Sequence, residues 1–449
     1  DMSIIDKFLN ISKEKENDVI IRTSKLTKTY KDLNDDIKKV ISKFNKMNVL
    51  SKSKVLLLVN MSYEMYVGIL ASVLYGLDVV IIDNFKDKKR VNQQLLDVNV
   101  DYALVNNKTS LLKNLFKPLR NVAKINVQKE LKSKDKETMF EVKSSASLIT
   151  FTSGGTGVPK AVKRSLEELN NQLQKTVEVI GDLSKEYVLA TLPIYTLACI
   201  LEGIKIYIPS KNEDLNEVLK KEENTVMFSS ISNYLKIKNA ISLKRAFFGG
   251  SILYYVEAKY IKENLPNALV TYIYGATEAS IISVTSLDEY LVALESNKLC
   301  LGTIIEGSSV TIKDEEIIVS KGIITNSYLN EEKTSFHATK DLGYVENNQI
   351  FLTGRKINDQ IKSDYLLEMI VKKSFSDIFP IAILNIEGQY HIYLEESNDS
   401  KRLDIICILE NYIENGQLHI IKKLPLDYRH HAKIDYKKLL RMNNGDKYV

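Results

Sequence analysis

A chain of 449 residues is too long to share one hydrophobic core, so two or three domains are expected. With 44% hydrophobic and 27% charged residues, its composition is that of a folded globular protein and not of a disordered or fibrous one. A net charge of +5 spread over this length gives little reason to expect nucleic acid or a membrane surface as partner.

Cys199, Cys300 and Cys407 lie far apart with no C-x-x-C spacing, so neither a zinc site nor a disulfide framework is indicated, and a reducing compartment fits. Asp1-Met2-Ser3 is followed by mixed charge, which does not read as a signal peptide. The best apolar run, 66–77, is too short to span a bilayer. A cytoplasmic location is expected.

In chain order, Leu33, Ile37, Val40, Ile41 and Phe44 have helical spacing and predict a helix over 32–44. A compact apolar strand is expected at 55–59, a helix at 64–75 ending near Gly76, and a strand at 79–82. A helix at 88–96 and a strand at 102–105 follow. This β-α-β-α-β alternation predicts a mainly parallel sheet with helices on its faces. The Lys-rich stretch 108–141 is weakly patterned and reads as a surface segment. The run 146–151 reads as a buried strand, and Ser165-Leu166-Glu167-Glu168 as a capped helix start.

Between that strand and that helix lies the loop in TFTSGGTGVPKAVK, residues 150–163. Gly154, Gly155 and Gly157 permit positive φ and close backbone approach, so successive N–H groups can converge on an anion. Thr152, Ser153 and Thr156 add hydroxyl donors, and Lys160 adds a point charge. Pro159 and Ala161 flank the lysine, which excludes a Walker A loop. Lys160 stands where a dinucleotide fingerprint needs its third glycine. An ordinary glycine-rich turn with a solvated lysine is the bland alternative.

The order T-S-G-G-T-G-x-P-K resembles the phosphate-binding signature of the adenylate-forming superfamily, which holds acyl-CoA synthetases, nonribosomal peptide adenylation domains and luciferases. Later segments extend the resemblance, in the expected order, over nearly the whole chain. The fold it implies is α/β: a multi-layer N-terminal domain with a small β portion, residues 1–354, and a small mobile α+β C-terminal domain, residues 355–449. The chain looks most like a short stand-alone bacterial acyl-CoA ligase.

Within that resemblance, Gly249, Gly250 and Ser251 in AFFGGSIL would lie beside adenine and the substrate. In VTYIYGATEAS, Tyr274 would stack on adenine and Gly275 would admit close approach. Thr277 would bond a phosphate oxygen, and Glu278 would help hold Mg²⁺, a hard cation suited to carboxylate oxygen. A helix N-terminus with a capping Thr277 is the structural alternative there. Thr339-Lys340-Asp341-Leu342-Gly343-Tyr344 resembles T-G-D-x-G-Y, with Lys340 in place of glycine; Asp341 would accept bonds from both ribose hydroxyls. Arg355 would contact ribose and phosphate. Residues 359–362 resemble the interdomain hinge, and Ser363-Asp364-Tyr365 stands where relatives carry a glycine facing pantetheine.

After the hinge, a helix at 366–375, a hairpin around Gly388-Gln389, a helix at 403–413 and a strand at 419–421 are expected. In the tail, Lys433-Ile434-Asp435 matches the lysine that bridges the carboxylate and the α-phosphate in the family. Arg429, His430 and His431 resemble the R-H-x-x-K form of some acyl ligases. Tyr195-Thr196 offers neither the aromatic-His pair nor the ammonium-binding aspartate of amino-acid-activating relatives.

The implied reaction is activation of a carboxylic acid, fatty or otherwise non-amino, with ATP and Mg²⁺ to acyl-AMP and pyrophosphate, then transfer to a thiol, with CoA as the expected acceptor. The alternatives are an acyl carrier protein's phosphopantetheine, another closure such as a β-lactone, or a degenerate nucleotide-binding module with no activity.

Overall fold

The computed structural model describes residues 2–137, 139–152, 159–321, 328–329, 335–426 and 433–444. A six-stranded sheet has the order Ala123–Asn126, Tyr102–Val105, Lys54–Leu58, Asp78–Val80, Ser147–Phe151, Ala161–Ser165. The first five strands run parallel and the sixth antiparallel. Val55–Leu58 are all buried, as a parallel strand covered on both faces requires.

The helices lie where their periodicity put them. Tyr30–Lys46 starts at Thr29, whose hydroxyl accepts from Asp32 N–H while the Asp32 carboxylate accepts from Thr29 N–H. Tyr63–Tyr75 stops at Gly76, which takes a φ of 84°. The stretch 108–141 is more ordered than its pattern suggests. It supplies the edge strand Ala123–Asn126 and the short helix Val127–Leu131. On that strand only Ile125 is fully buried, so alternation is too faint to read.

The second sheet begins at edge strand Thr27–Thr29, antiparallel to Val19–Arg22, and continues with parallel strands in the order Val19–Arg22, Lys205–Tyr207, Tyr187–Ala190, Val226–Phe228, Arg245–Gly249, Leu269–Ala276. Antiparallel strands Ser280–Ser286, Leu299–Ile304 and Gln349–Lys356 continue it. At Gln349–Lys356 the ladder forks. One arm runs through His337–Glu346 and Glu316–Lys321 to Ser309–Lys313. The other runs through Ile361–Ser363, Ile381–Ile386 and Gln389–Glu395 to Gly416–Ile421. The first arm is the expected small β portion and the second is the α+β C-terminal part. The expected boundary at 354/355 falls inside Gln349–Lys356.

The C-terminal sheet alternates with period two between two cores. Ile381, Ile383 and Leu394 join the cluster that extends into the body, whereas Ala382, Leu384 and Tyr393 pack with Leu439 and Leu440 of the terminal helix Tyr436–Asn444. One carboxyl ties the parts together. Glu368, on helix Tyr365–Lys373, accepts from Tyr254 Oη at 3.0 Å, Ile383 N–H at 2.9 Å and Tyr436 Oη at 3.4 Å. Burial pushes its pKa up to about 7. Among the described residues no helix is long and apolar enough to cross a membrane.

Candidate active site

Open parallel sheets bind ligands beyond the carboxyl ends of their strands. Thr152 follows the carboxyl end of Ser147–Phe151. Its N–H donates to the Lys160 carbonyl at 2.9 Å, and Lys160 N–H donates to Thr152 Oγ1 at 3.0 Å, so the two ends of the loop are clasped. Ser153, Gly154, Gly155, Thr156 and Gly157 lie outside the described residues. The chain returns as strand Ala161–Ser165 before helix Leu166–Ile180 begins, an element not expected from the sequence. Tyr328 is bridged to Val162 on that strand, and Lys160 Nζ stands 4.9 Å from the centre of the Tyr328 ring.

Thr277 and Glu278 occupy the tight turn between Leu269–Ala276 and Ser280–Ser286, not a helix N-terminus. Gly275 is required there, because a Cβ would sit 2.4 Å from the Ser280 carbonyl oxygen. The Glu278 side chain is 11% exposed and accepts from Tyr328 Oη at 3.1 Å, with His337 Nε2 at 3.6 Å. Burial lowers the His337 pKa, and the charges of Glu278 and Asp341 oppose it. Arg164 fastens this turn to strand Ser147–Phe151: its guanidinium donates to Thr150 Oγ1 at 2.6 Å and to the Thr277 carbonyl. Burial lowers the Arg164 pKa to about 10, with Glu278 and Glu168 opposing, so the side chain stays cationic at neutral pH. Arg164 and His337 carry no spacing signal in the sequence, and the fold alone brings them to this turn.

Asp341 is held at both oxygens. Tyr274 Oη donates to Oδ2 at 2.6 Å and the Arg355 guanidinium donates to Oδ1 at 2.7 Å. Across the ladder Asp341 is also the direct partner of Arg355. Burial disfavours the Arg355 charge, but Asp341 more than offsets it and the pKa is raised. Burial, then Asp341, drives the Tyr274 pKa well up, so its hydroxyl remains a donor. Tyr274 thus positions Asp341 through its hydroxyl. Each carboxylate oxygen keeps a lone pair for a further donor. Lys340, immediately before Asp341, takes a φ of 64°, a region where side chains are strained.

Gly249 ends strand Arg245–Gly249, Gly250 has a φ of 86°, and the Ser251 carbonyl accepts from Tyr272 Oη at 3.0 Å. Tyr195 stacks on Phe228 with ring centroids 5.0 Å apart, and Thr196 is buried with its hydroxyl donating to the Leu192 carbonyl. Lys433 precedes Ile434, which bridges to Leu426, and leads into the terminal helix. Arg429, His430 and His431 lie outside the described residues. Thr152, Lys160, Glu278, Asp341, Arg355 and Tyr274 therefore fall into two small clusters, one around Tyr328 and one around Asp341, joined along strand His337–Glu346.

Residues 10–322 match the family described as AMP-binding enzyme. The chain is 27% identical over 410 residues to a D-alanine--D-alanyl carrier protein ligase of Staphylococcus epidermidis, an alignment covering 82% of this chain and 80% of that protein. In structure it resembles the O-succinylbenzoate coenzyme A synthetase of Bacillus subtilis in complex with AMP, with a TM-score of 0.80 at 16% identity over 96% of this chain and 97% of that one. The same enzyme in complex with ATP and magnesium gives a TM-score of 0.79 at 17% identity, over 96% and 98%.

Proposed function

This chain belongs to the AMP-binding enzyme family, and from that premise we propose that it couples a carboxylic acid to AMP at the expense of ATP and then passes the acyl group to a carrier-protein phosphopantetheine. The observation that carries the nucleotide half is the grip on Asp341. A half-buried carboxylate fixed by Tyr274 and Arg355 presents acceptors to a ribose diol, on the same strand as His337, whose Nε2 stands 3.6 Å from Glu278.

In the first step a substrate carboxylate oxygen attacks the α-phosphorus, the P–O bond to pyrophosphate breaks, and acyl-AMP forms. Negative charge develops on the phosphoryl oxygens, so positioned cations lower the barrier. Lys160, Arg355 and the tail lysine Lys433 are assigned that work. Glu278 suits a magnesium ion: it offers a single hard carboxylate, and the nucleotide phosphates would complete the oxygen set. When bound, the ion would neutralise phosphate charge. In the second step the thiol sulfur attacks the acyl carbon, the C–O bond to AMP breaks, and the thiol proton goes to solvent.

The carrier-protein acceptor is supported by the likeness to the D-alanyl carrier protein ligase. CoA is the second reading, supported by the structural likeness to a coenzyme A synthetase. Asp364 does not decide between them by its charge. Its carboxylate caps helix Tyr365–Lys373 through Leu367 N–H at 2.9 Å, and burial pushes its pKa up to about 6. A non-amino acid is proposed as substrate, because the Tyr195-Thr196 stretch offers no aspartate of the kind that holds an α-ammonium, and the Thr196 hydroxyl is engaged by the Leu192 carbonyl.

Acid-dependent ATP–pyrophosphate exchange with D-alanine, short fatty acids and aryl acids tests the first half. Exchange with none of them removes the adenylation reading, and exchange with D-alanine alone removes the non-amino reading. Adding CoA or a holo carrier protein to the charged enzyme identifies the acceptor by which one is acylated.

A further inference from the structure

The excess of positive charge is not spread along the chain as its total suggests. Residues 108–124 hold Lys108, Lys113, Lys117, Arg120 and Lys124 and no acidic side chain, so this stretch alone carries +5, the net charge of the whole protein. Past residue 129 the Lys-rich segment has acids of its own, and three ion pairs tie it to helix Tyr30–Lys46: Glu130 with Lys43, Asp135 with Lys46, and Lys136 with Asp35. Among the described residues none of the five cations of 108–124 has an ion-pair partner. Two 3-10 turns, Leu112–Leu115 and Lys117–Leu119, shape the stretch. Phe116 and Leu119 anchor it, buried in one core with Val91 and Leu95 of helix Lys88–Val98, and the Phe116 ring meets Phe85 edge-on at 5.7 Å. Lys124 Nζ donates to Ser110 Oγ at 2.9 Å, which ties the edge strand to the start of the stretch. With those anchors turned inward, Leu111 and Leu115 are left 73% and 52% exposed among the cations.

We infer that this patch is a docking surface for an anionic membrane, with the two exposed leucines entering the headgroup layer and the cations meeting lipid phosphates. Each Lys or Arg held near such a surface strengthens binding on the order of fivefold. The composition separates lipid from other polyanions. Protein interfaces are poor in Lys and rich in Arg and aromatic rings, whereas this patch has four Lys to one Arg and its exposed apolar groups are leucines. A nucleic-acid strand stacks its bases on aromatic rings, and Phe116 is buried. The stretch leaves the sheet at the carboxyl end of Tyr102–Val105, three places along from Ser147–Phe151. It therefore stands on the same rim as Thr152, about 14 Å away along the sheet at the usual strand spacing. The inference is independent of which acid and which thiol the enzyme uses.

The test is co-sedimentation of the full-length chain with vesicles of phosphatidylcholine alone, and of phosphatidylcholine and phosphatidylglycerol in equal parts. Binding is expected to the second kind only, and should fall steeply as salt is raised. Lys108→Ala, Lys117→Ala and Arg120→Ala combined should weaken it about a hundredfold. Leu111→Ser with Leu115→Ser should weaken it at every salt concentration. Lys132→Ala with Lys134→Ala, in the half that has its own acids, should leave it unchanged. All seven side chains are exposed, so the melting temperatures of these variants should match wild type. Binding to neither vesicle, equal binding to both, or an equal loss in the Lys132 and Lys134 variant overturns the assignment. Retention on an immobilised acidic carrier protein or on single-stranded DNA without vesicle binding also overturns it, and gives the patch to that macromolecule.

Discussion

At the scale of single residues, the site depends on how few groups share each carboxylate. Asp341 serves Tyr274, Arg355 and, in the proposed complex, the ribose. Asp341→Asn should raise the KM for ATP in pyrophosphate exchange by roughly 1.5–3 kcal/mol in binding, tenfold or more, because the charged acceptor is lost while the shape is kept. Tyr274→Phe should show a smaller rise in the same assay, since it only frees Asp341 to tilt. Unchanged nucleotide KM in both variants would assign the ribose contact elsewhere. Asp341, Arg355 and Glu278 were legible in the sequence because each sits in a motif whose chemistry needs that residue type. His337 and Arg164 were not, because a lone His or Arg has no periodic or spacing signal, and only the fold brings them to Glu278 and Thr277. The strained backbone at Lys340 was equally hidden, since a substituted motif glycine reads in sequence as tolerance and not as φ 64°.

At the scale of elements, two hairpins do the placing. Ser147–Phe151 with Ala161–Ser165 holds the two ends of the glycine-rich loop together, and Leu269–Ala276 with Ser280–Ser286 carries Glu278 at its turn. The first was half legible: the apolar run 146–151 announced its strand, but A-V-K-R-S has two cations in five residues and no clean alternation. Its partners explain the charges, because Lys163 pairs with Asp78 at 2.9 Å and Arg164 turns inward. The second hairpin has no room for a side chain at Gly275. Gly275→Ala should cost about 1–3 kcal/mol, read as a lower melting temperature, because the obstructing atom is a backbone carbonyl that cannot swing aside. The same variant should lose pyrophosphate exchange out of proportion to its stability. Full exchange activity in a folded Gly275→Ala protein would argue that the turn does not position Glu278 for the reaction.

At the scale of the whole molecule, the C-terminal part is seated on the body through Glu368, where Tyr254, Tyr436 and the Ile383 amide meet. The folded pKa, about 7, lies above the ordinary 4.5, so the folded state holds the proton longer than the unfolded one. The sign follows directly: the stabilisation is complete below about pH 4.5 and is lost as pH rises through 7, by on the order of 3 kcal/mol. Asp364 acts in the same direction over a lower range, toward about 6. Thermal melts of Glu368→Gln from pH 5 to 8 should show a flatter profile than wild type, and a wild-type slope in the variant would place the titration elsewhere. The tail gives a second whole-molecule prediction. Lys433→Ala should abolish acyl-AMP formation without changing the melting temperature, while supplied acyl-AMP still reacts with the thiol. Undiminished pyrophosphate exchange would remove Lys433 from the first step.

The pairing of Val19–Arg22 with Lys205–Tyr207 has a consequence for how the chain is made. Roughly 180 residues separate the two strands, and at ribosomal speeds of about 5–20 residues per second the earlier one waits about 10–40 s for its parallel neighbour to be synthesised. The six-stranded sheet needs nothing beyond Ser165, so it can close during that interval. Helix Ile4–Glu14, whose buried Ile4, Ile5 and Phe8 share a core with residues of Pro193–Glu202, waits with the strand. Residues 4–22 therefore complete their packing well after they are made: strand Val19–Arg22 has only its antiparallel neighbour Thr27–Thr29 for that time, its other edge stays open, and the apolar face of the helix stays uncovered.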